Sequence, residues 1–305
     1  MTSAELLRLS PPALPFGTLM STRRRRACPS PESRERANVF PLPVPALRTG
    51  IATSPEQVRS ALRLVDERYS WRGYQACLRD LQERAERRRE ITMIAEQLKE
   101  IVGTLTMGFD GPQELSAEAN ALVGTVGLRF DFEHGLAADE LYGKEVDLLR
   151  QSGARLCEFT RLAVDKSAAS KPVLAGLFHS AYLYAAKIRG CTHAVIEVTP
   201  RHSGFYHRAL RFDRIGTERL NPRVNTQGVL MCVALDAIAE GLAKYAGKPD
   251  VPGAMGSLFV YGFPPDEEAG VLNRLYETGA NVLKSASGRA GGSHSGRAFS
   301  ASAHQ

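Results

Sequence analysis

Residues 156–165 read LCEFTRLAVD, an apolar run after Gly153 that carries a carboxylate, Glu158, and a guanidinium, Arg161, three positions apart. Alternate residues of a regular strand share a face, which sets Glu158 with Thr160 and Leu162, and Arg161 with Cys157 and Phe159. One charge then points into apolar packing, which is costly unless it is paired or used. The stretch reads as a buried strand holding either a structural ion pair or a functional site.

Working outward, Leu136 to Arg150 has helical spacing and leads through Gly153 into this strand. From Pro172, the residues Leu174, Leu177, Phe178, Ala181, Ala185 and Ile188 form a helical stripe that Gly190 stops. A strand follows over Thr192 to Thr199, closed by Pro200, then a short helix around Phe205 to Leu210 and a sheet pair near Phe212 to Gly216 and Val229 to Leu235. Upstream, Ser54-Pro55-Glu56-Gln57 predicts a capped helix start, with Val58, Ala61, Leu62, Val65 and Tyr69 along one face. Residues 79–90, dense in Arg and Glu, read as a solvated helix or loop, and Ile91 to Gln97 as a strand or a helix end. VGTLTMGFD at 102–110 is echoed by VGTVGLRFD at 123–131, which predicts two neighbouring antiparallel strands, each with a turn after its Asp. This alternation gives a mixed sheet with helices packed on it.

Composition limits the function classes. With 305 residues and 43% hydrophobic content, the chain can bury a sizeable core. The net charge is +6, but the first 50 residues hold eight arginines against three glutamates and so supply +5 of it. The near-neutral remainder argues against nucleic acid as a partner. No run reaches the ~18 apolar residues that identify a membrane span. The five cysteines form no CxxC, and His202 and His207 are five apart; neither disulfides nor a metal site is expected, and a reducing cytoplasm is. Residues 1–50, rich in Arg and Pro, read as a disordered tail of transit-peptide-like composition, or one that precedes a true start at Met20. Residues 51–248 read as the domain, which closes with a helical piece beyond Asp236 ending near Tyr245, and 249–305 as a Gly/Pro-rich C-terminal extension whose last 20 residues are disordered.

A second landmark is EVTPRHSGFYHRALRF at 197–212, after a strand ending in Pro200. With IVGTLTMGFD at 101–110, GLAADELYGKEVDLLR at 135–150 and CEFTRLAVD, it resembles the long-chain N-acyl amino acid synthases of the FeeM-like family, GNAT-type acyltransferases related to the acyl-homoserine lactone synthases, over roughly residues 51 to 235. Arg211 stands where that fold usually has Gly. The resemblance implies an α/β (α+β) fold with a mostly antiparallel twisted sheet flanked by helices, and a bulge in the central strand that turns Glu158 and Arg161 to one cleft. It implies a cytoplasmic bacterial enzyme of lipid signalling. Glu158 would be the base, directly or through a water, and Tyr206 the acid for the leaving thiolate. Arg161, beside Thr160, would hold the amino acid carboxylate or pair with Glu158, and Arg68, Tyr69 and Trp71 would close over the acyl chain. The segment Asp165 to Pro172 lacks the Gly-rich pyrophosphate loop of coenzyme-A-dependent relatives. That points to no bound cofactor and to an acyl-phosphopantetheine thioester on acyl carrier protein, met by Lys166 and Lys171. The alternatives are an acyl-homoserine lactone type synthase and a non-catalytic module that binds acyl groups or their carrier. Bland readings stay open for Glu158 and Arg161 as a structural pair and for Tyr206 as a packed aromatic.

Overall fold

Helix α1 starts where the capping signal predicts it: Ser54 Oγ accepts the Gln57 N–H (3.2 Å), and Gln57 Oε1 accepts the Ser54 N–H (3.3 Å). The computed structural model describes residues 47–70, 90–98, 120–168, 170–222 and 225–290, with backbone alone at 133, 134 and 283–290. Its elements are β1 (Leu47–Ile51), α1 (Pro55–Ser70), β2 (Ile91–Gln97), β3 (Ala121–Phe130), α2 (Asp131–His134), α3 (Asp139–Gln151), β4 (Leu156–Val164), α4 (Ser170–Tyr182), β5 (His193–Val198), α5 (Pro200–Leu210), β6 (Asp213–Arg214), β7 (Arg219–Asn221), β8 (Thr226–Ala234), α6 (Leu235–Tyr245) and α7 (Pro265–Ala290). Helix α4 runs on as a π-helical turn, Leu183–Ile188, and a 3₁₀ turn, Phe259–Tyr261, precedes α7.

The strands form one eight-stranded sheet in the order β1-β2-β3-β4-β5-β8-β6, with β7 also on β8. Every pairing is antiparallel except β4 with β5, which the α4 crossover joins in parallel. Leu156, Val195, Leu230 and Cys232 turn to one face, against Tyr142 and Val146 of α3. On the same face Ala163 meets Leu64 and Val65 of α1. Cys157, Phe159, Ala194 and Ile196 turn to the other, against α4, α6 and α7. The mixed, mostly antiparallel sheet flanked by helices is the architecture expected.

Several boundaries differ from the sequence reading. Four of the five residues of Leu47–Ile51 lie in the segment read as tail, yet the stretch is the edge strand paired to β2. Asp131 opens α2 instead of a turn. The first copy of the echo, at 102–110, lies outside the described residues, as do residues 1–46 and 291–305. The C-terminal extension is part of the core: Leu258, Phe259, Val271 and Leu275 are buried in the main cluster, and α7 runs on to Ala290, into the last 20 residues. Gly- and Pro-rich composition hid a helix whose apolar positions recur four apart. Arg211 has φ +63°, a left-handed turn after α5 of the kind Gly adopts without strain.

His179 of α4 fastens this extension. Its Nδ1 accepts the Phe263 N–H (3.0 Å), so Nε2 carries the proton and donates to Glu268 Oε2 (3.1 Å). Burial lowers the imidazole pKa from 6.5 to about 4. Between those values only the unfolded state takes up a proton, so this contribution to stability is full above pH 6.5 and falls as pH drops toward 4. Urea titrations across that window are expected to show the fall in the wild type and a shallower one in His179→Gln. Leu275→Ala is expected to cost about 2–5 kcal/mol, against about 0.5 or less for exposed Tyr276→Ala.

Candidate active site

Strand β4 leaves its parallel neighbour early. The pairing covers Leu156 with His193, Cys157 with Ala194 and Glu158 with Val195, although β4 continues to Val164 and β5 to Val198. On its other side the register with β3 slips: Gly127 faces Thr160 and Thr125 faces Ala163, so three steps along β4 match two along β3. The surplus residue is Arg161, at φ +50°. This bulge shifts the alternation of β4, so that Glu158 and Thr160 before it and Ala163 after it share one face. Arg161 at the shift swings toward that same side, which answers how both charges of LCEFTRLAVD find a place.

The charges meet a partner the sequence reading missed. Arg129 lies directly across from Glu158, with Nη1 3.4 Å from Glu158 Oε2 and Nη2 3.5 Å from Glu90 Oε2. Arg161 Nη2 is 2.9 Å from Glu90 Oε1, which also accepts the Thr160 hydroxyl. The Ala137 N–H, in the turn between α2 and α3, donates to Glu158 Oε2 (2.6 Å). Glu90 thus bridges the two guanidiniums, and among the described residues two carboxylates balance two cations. The side chains of Glu90, Glu158 and Arg129 are 1%, 3% and 7% exposed against 13% for Arg161, so Arg161 is the member nearest solvent. Gly127 leaves the room, since a Cβ there would collide with Glu90 Oε1 and come within 2.6 Å of Thr160 Oγ1. Glu90 ends the Arg/Glu-dense run read as solvated. Its burial corrects that reading at this residue, and residues 79–89 lie outside the described ones. Arg129 had one signal, the echoed motif VGTVGLRFD.

Tyr206 is not brought to Glu158. It belongs to an aromatic group on the α4 face, edge-on to Phe178 (6.2 Å), Phe205 (5.3 Å) and Phe212 (6.3 Å). Phe178 in turn lies 6.0 Å from Phe159, whose side chain alternates with that of Glu158 along β4. Carboxylate and phenol therefore flank β4 from opposite faces. Arg68 and Tyr69 sit in the last turn of α1, where Tyr69 joins the cluster around Ala163. Trp71 lies outside the described residues. Lys166 and Lys171 are exposed at the turn from β4 into α4. In that turn Asp165 Oδ1 accepts the Ser167 N–H (2.7 Å) and hydroxyl (2.5 Å), hydrogen bonds that lower its pKa, with Arg68 and Lys166 acting in the same direction. Among the described residues no three His, Cys, Asp or Glu side chains could together hold a metal ion, and no helix is long and apolar enough to cross a membrane.

Residues 118–234 match the family of the N-acyl amino acid synthase FeeM. The matched FeeM region runs from β3 to β8 and contains Arg129, the bulge, Glu158 and Tyr206; Glu90 and α7 lie outside it. The resemblance read from the sequence is thereby supported, and the chain is an acyltransferase. The solved structure of FeeM from uncultured soil microbes shares the fold at 22% identity and a TM-score of 0.51, over 63% of this chain and 92% of its own. A spermidine N-acetyltransferase from Vibrio cholerae, solved with CoA and spermine, aligns at 12% identity and a TM-score of 0.40, over 63% of this chain and 98% of its own. No curated protein matches the sequence.

Glu90→Gln removes the carboxylate that both Arg129 and Arg161 contact, and the expected loss of stability is about 3–5 kcal/mol. Gly127→Ala should cost about 1–3 kcal/mol through overpacking. Chemical denaturation of both variants measures this; midpoints equal to wild type would show that the network does not hold β2, β3 and β4 together.

Proposed function

We propose that this chain transfers a long-chain acyl group from acyl carrier protein to the α-amine of an amino acid, releasing an N-acyl amino acid. The observation that carries the reading is the chemical division across the parting of β4 from β5. Carboxylates and guanidiniums stand on one face, aromatic rings on the other, and beyond Glu158 the β4 backbone has no pairing with β5. A charged acceptor suits the first face and an acyl thioester the second.

In the reaction the amine nitrogen attacks the thioester carbonyl carbon, the C–S bond breaks, and an amide forms. Glu158 takes the amine proton, through a water because it is buried. Backbone N–H groups beside the bulge polarise the carbonyl oxygen. Tyr206 protonates the departing phosphopantetheine thiolate. Arg161, nearest solvent of the network, receives the amino acid carboxylate with Thr160 beside it, while Arg129 and the Ala137 N–H hold Glu158 in place. Arg68 and Tyr69 of α1, with Tyr69 packed around Ala163 on the Glu158 face, border the acceptor in this reading rather than the acyl chain.

Two features support a protein-borne donor. The turn at 165–171 has no glycine, and its Ser167 N–H is already taken by Asp165, so a fitted seat for a pyrophosphate is lacking. Lys166 and Lys171 suit an acidic carrier. The site of action is the cytoplasm, where carrier-bound thioesters are made and thiols stay reduced.

Purified protein, acyl carrier thioester and a panel of amino acids, followed by mass spectrometry, test this. The wild type should form N-acyl amino acids, Glu158→Gln should lose about 10²–10⁴ of the rate and Tyr206→Phe about tenfold or more. Stoichiometric carrier binding with no product would make the chain a binding module, and product only with S-adenosylmethionine would make it a lactone synthase; either result overturns the proposal.

A further inference from the structure

Two thiols stand where β4 and β5 meet. Cys157 of β4 and Cys191, in the turn before β5, both belong to the apolar cluster on the α4 face, and their side chains are in hydrogen-bonding contact. The carbonyls beside them form the first rung of the parallel pair: Cys157 Sγ lies 3.5 Å from the His193 oxygen, and Cys191 Sγ 3.9 Å from the Leu156 oxygen. The backbone around Cys191 is fixed, with its N–H on the Ala185 oxygen (2.9 Å) and the Thr192 N–H on the Arg155 oxygen (2.8 Å). Each sulfur thus reaches the same rung from its own side, and the whole α4 crossover lies between the two in sequence.

Their surroundings make the two thiols chemically unequal. Arg155 folds over Gly190, where a Cβ would lie 3.0 Å from its Nη1, and its Nη2 donates to the Arg189 oxygen (3.1 Å). Arg189 stacks on Phe130 and Phe132, its guanidinium carbon 4.4 and 5.0 Å from the ring centres. The hydrogen bond from Cys157, followed by these two fixed guanidiniums, lowers the pKa of Cys191. Burial among apolar side chains pushes that of Cys157 well up. Cys191 also keeps 5% of its surface exposed, against 0% for Cys157. Cys191 is therefore the readier thiolate and the one nearer water, with a neutral thiol directly behind it.

We propose that Cys157 and Cys191 are a peroxide-sensitive pair that closes to a disulfide across the β4–β5 junction. The Cys191 thiolate attacks a peroxide oxygen, the O–O bond breaks, and a sulfenic acid and hydroxide form. The Cys157 sulfur then attacks the sulfenic sulfur; the S–S bond forms, the S–O bond breaks, and the Cys157 proton leaves with the oxygen as water. Two thiols are oxidised by two electrons and hydrogen peroxide is reduced to two waters, the hydroxide taking up the proton that Cys191 had released. The new bond closes a loop through the α4 crossover and fixes the rung beyond which the strands part. Neither sulfur has a role in the acyl transfer described above, so the inference stands independently of that reading.

The full-length reduced protein is treated with hydrogen peroxide, its remaining thiols are alkylated, and a non-reducing digest is mapped by mass spectrometry beside a melting curve. The wild type should give a peptide pair joined through Cys157 and Cys191, with the thermal midpoint raised by about 5 °C or more, both reversed by dithiothreitol. Cys191→Ala and Cys157→Ala should show no rise on oxidation. Cys232→Ala, whose thiol lies on the opposite face of the sheet, should keep both the link and the rise. Sulfinic acid at Cys191 without a link overturns the inference, as does a link from Cys191 to Cys28 or Cys77, which lie outside the described residues. So does a linked wild type that melts with the reduced protein. The wild-type map and its melting curve decide the matter even where an alanine variant fails to fold.

Discussion

Strand β4 pairs with β5 over only three residues, and the rest of the molecule is arranged around that short parallel contact. A parallel pair needs a crossover connection, here α4, whose buried length lies against β1 to β4 and keeps the two strands joined at one end. At the other end the ladder stops at Glu158, and the bulge at Arg161 adds twist to β4 as it leaves. The parting lies between apolar packing on one side and charge on the other.

The charged side shows what a buried ion network can do besides stabilise. Its members come from strand β3, from β4 and from the residue before β2, with Glu90 39 residues from Arg129 and 70 from Thr160. Desolvating four charges is costly, and their attraction returns that cost only if geometry and hydrogen bonds are good. Such a network fits one register of β3 on β4, the register that contains the bulge. Thus the ions that position Glu158 also specify the irregular strand that carries it.

On the opposite side, the C-terminal segment completes the packing. Helix α7 and the turn before it bury Leu258, Phe259, Val271 and Leu275 in the same cluster as Phe159 and Phe178. A neutral His179, held between a backbone N–H and a glutamate, joins the added segment to α4. The fold shared with FeeM is thus walled on this side by the C-terminal segment.

Local chemistry was enough for much of this fold. The Ser54–Gln57 cap, the stripe from Leu174 to Ile188, the strand closed by Pro200 and the alternation of elements are written in short-range spacing, which is where capping and amphipathic packing act. The odd charge pair in LCEFTRLAVD marked the central strand as unusual, and the family motifs marked Glu158, Arg161 and Tyr206 as the residues to examine. Their arrangement was not legible. Glu90 sits in a run whose neighbours are Arg and Glu, so its local pattern describes a solvated surface, and only pairing across three strands buries it. Tyr206 shares a motif with no sign of the sheet face it takes, because a face is decided by where α5 packs. The strand at 47–51 and the helix at 265–290 look like parts of loose ends until a sheet edge and α4 offer them apolar surface. Spacing along the chain thus determined which elements form, while the side on which each charge and ring stands was decided by long-range packing, whose free energy comes from contacts that sequence neighbours do not make.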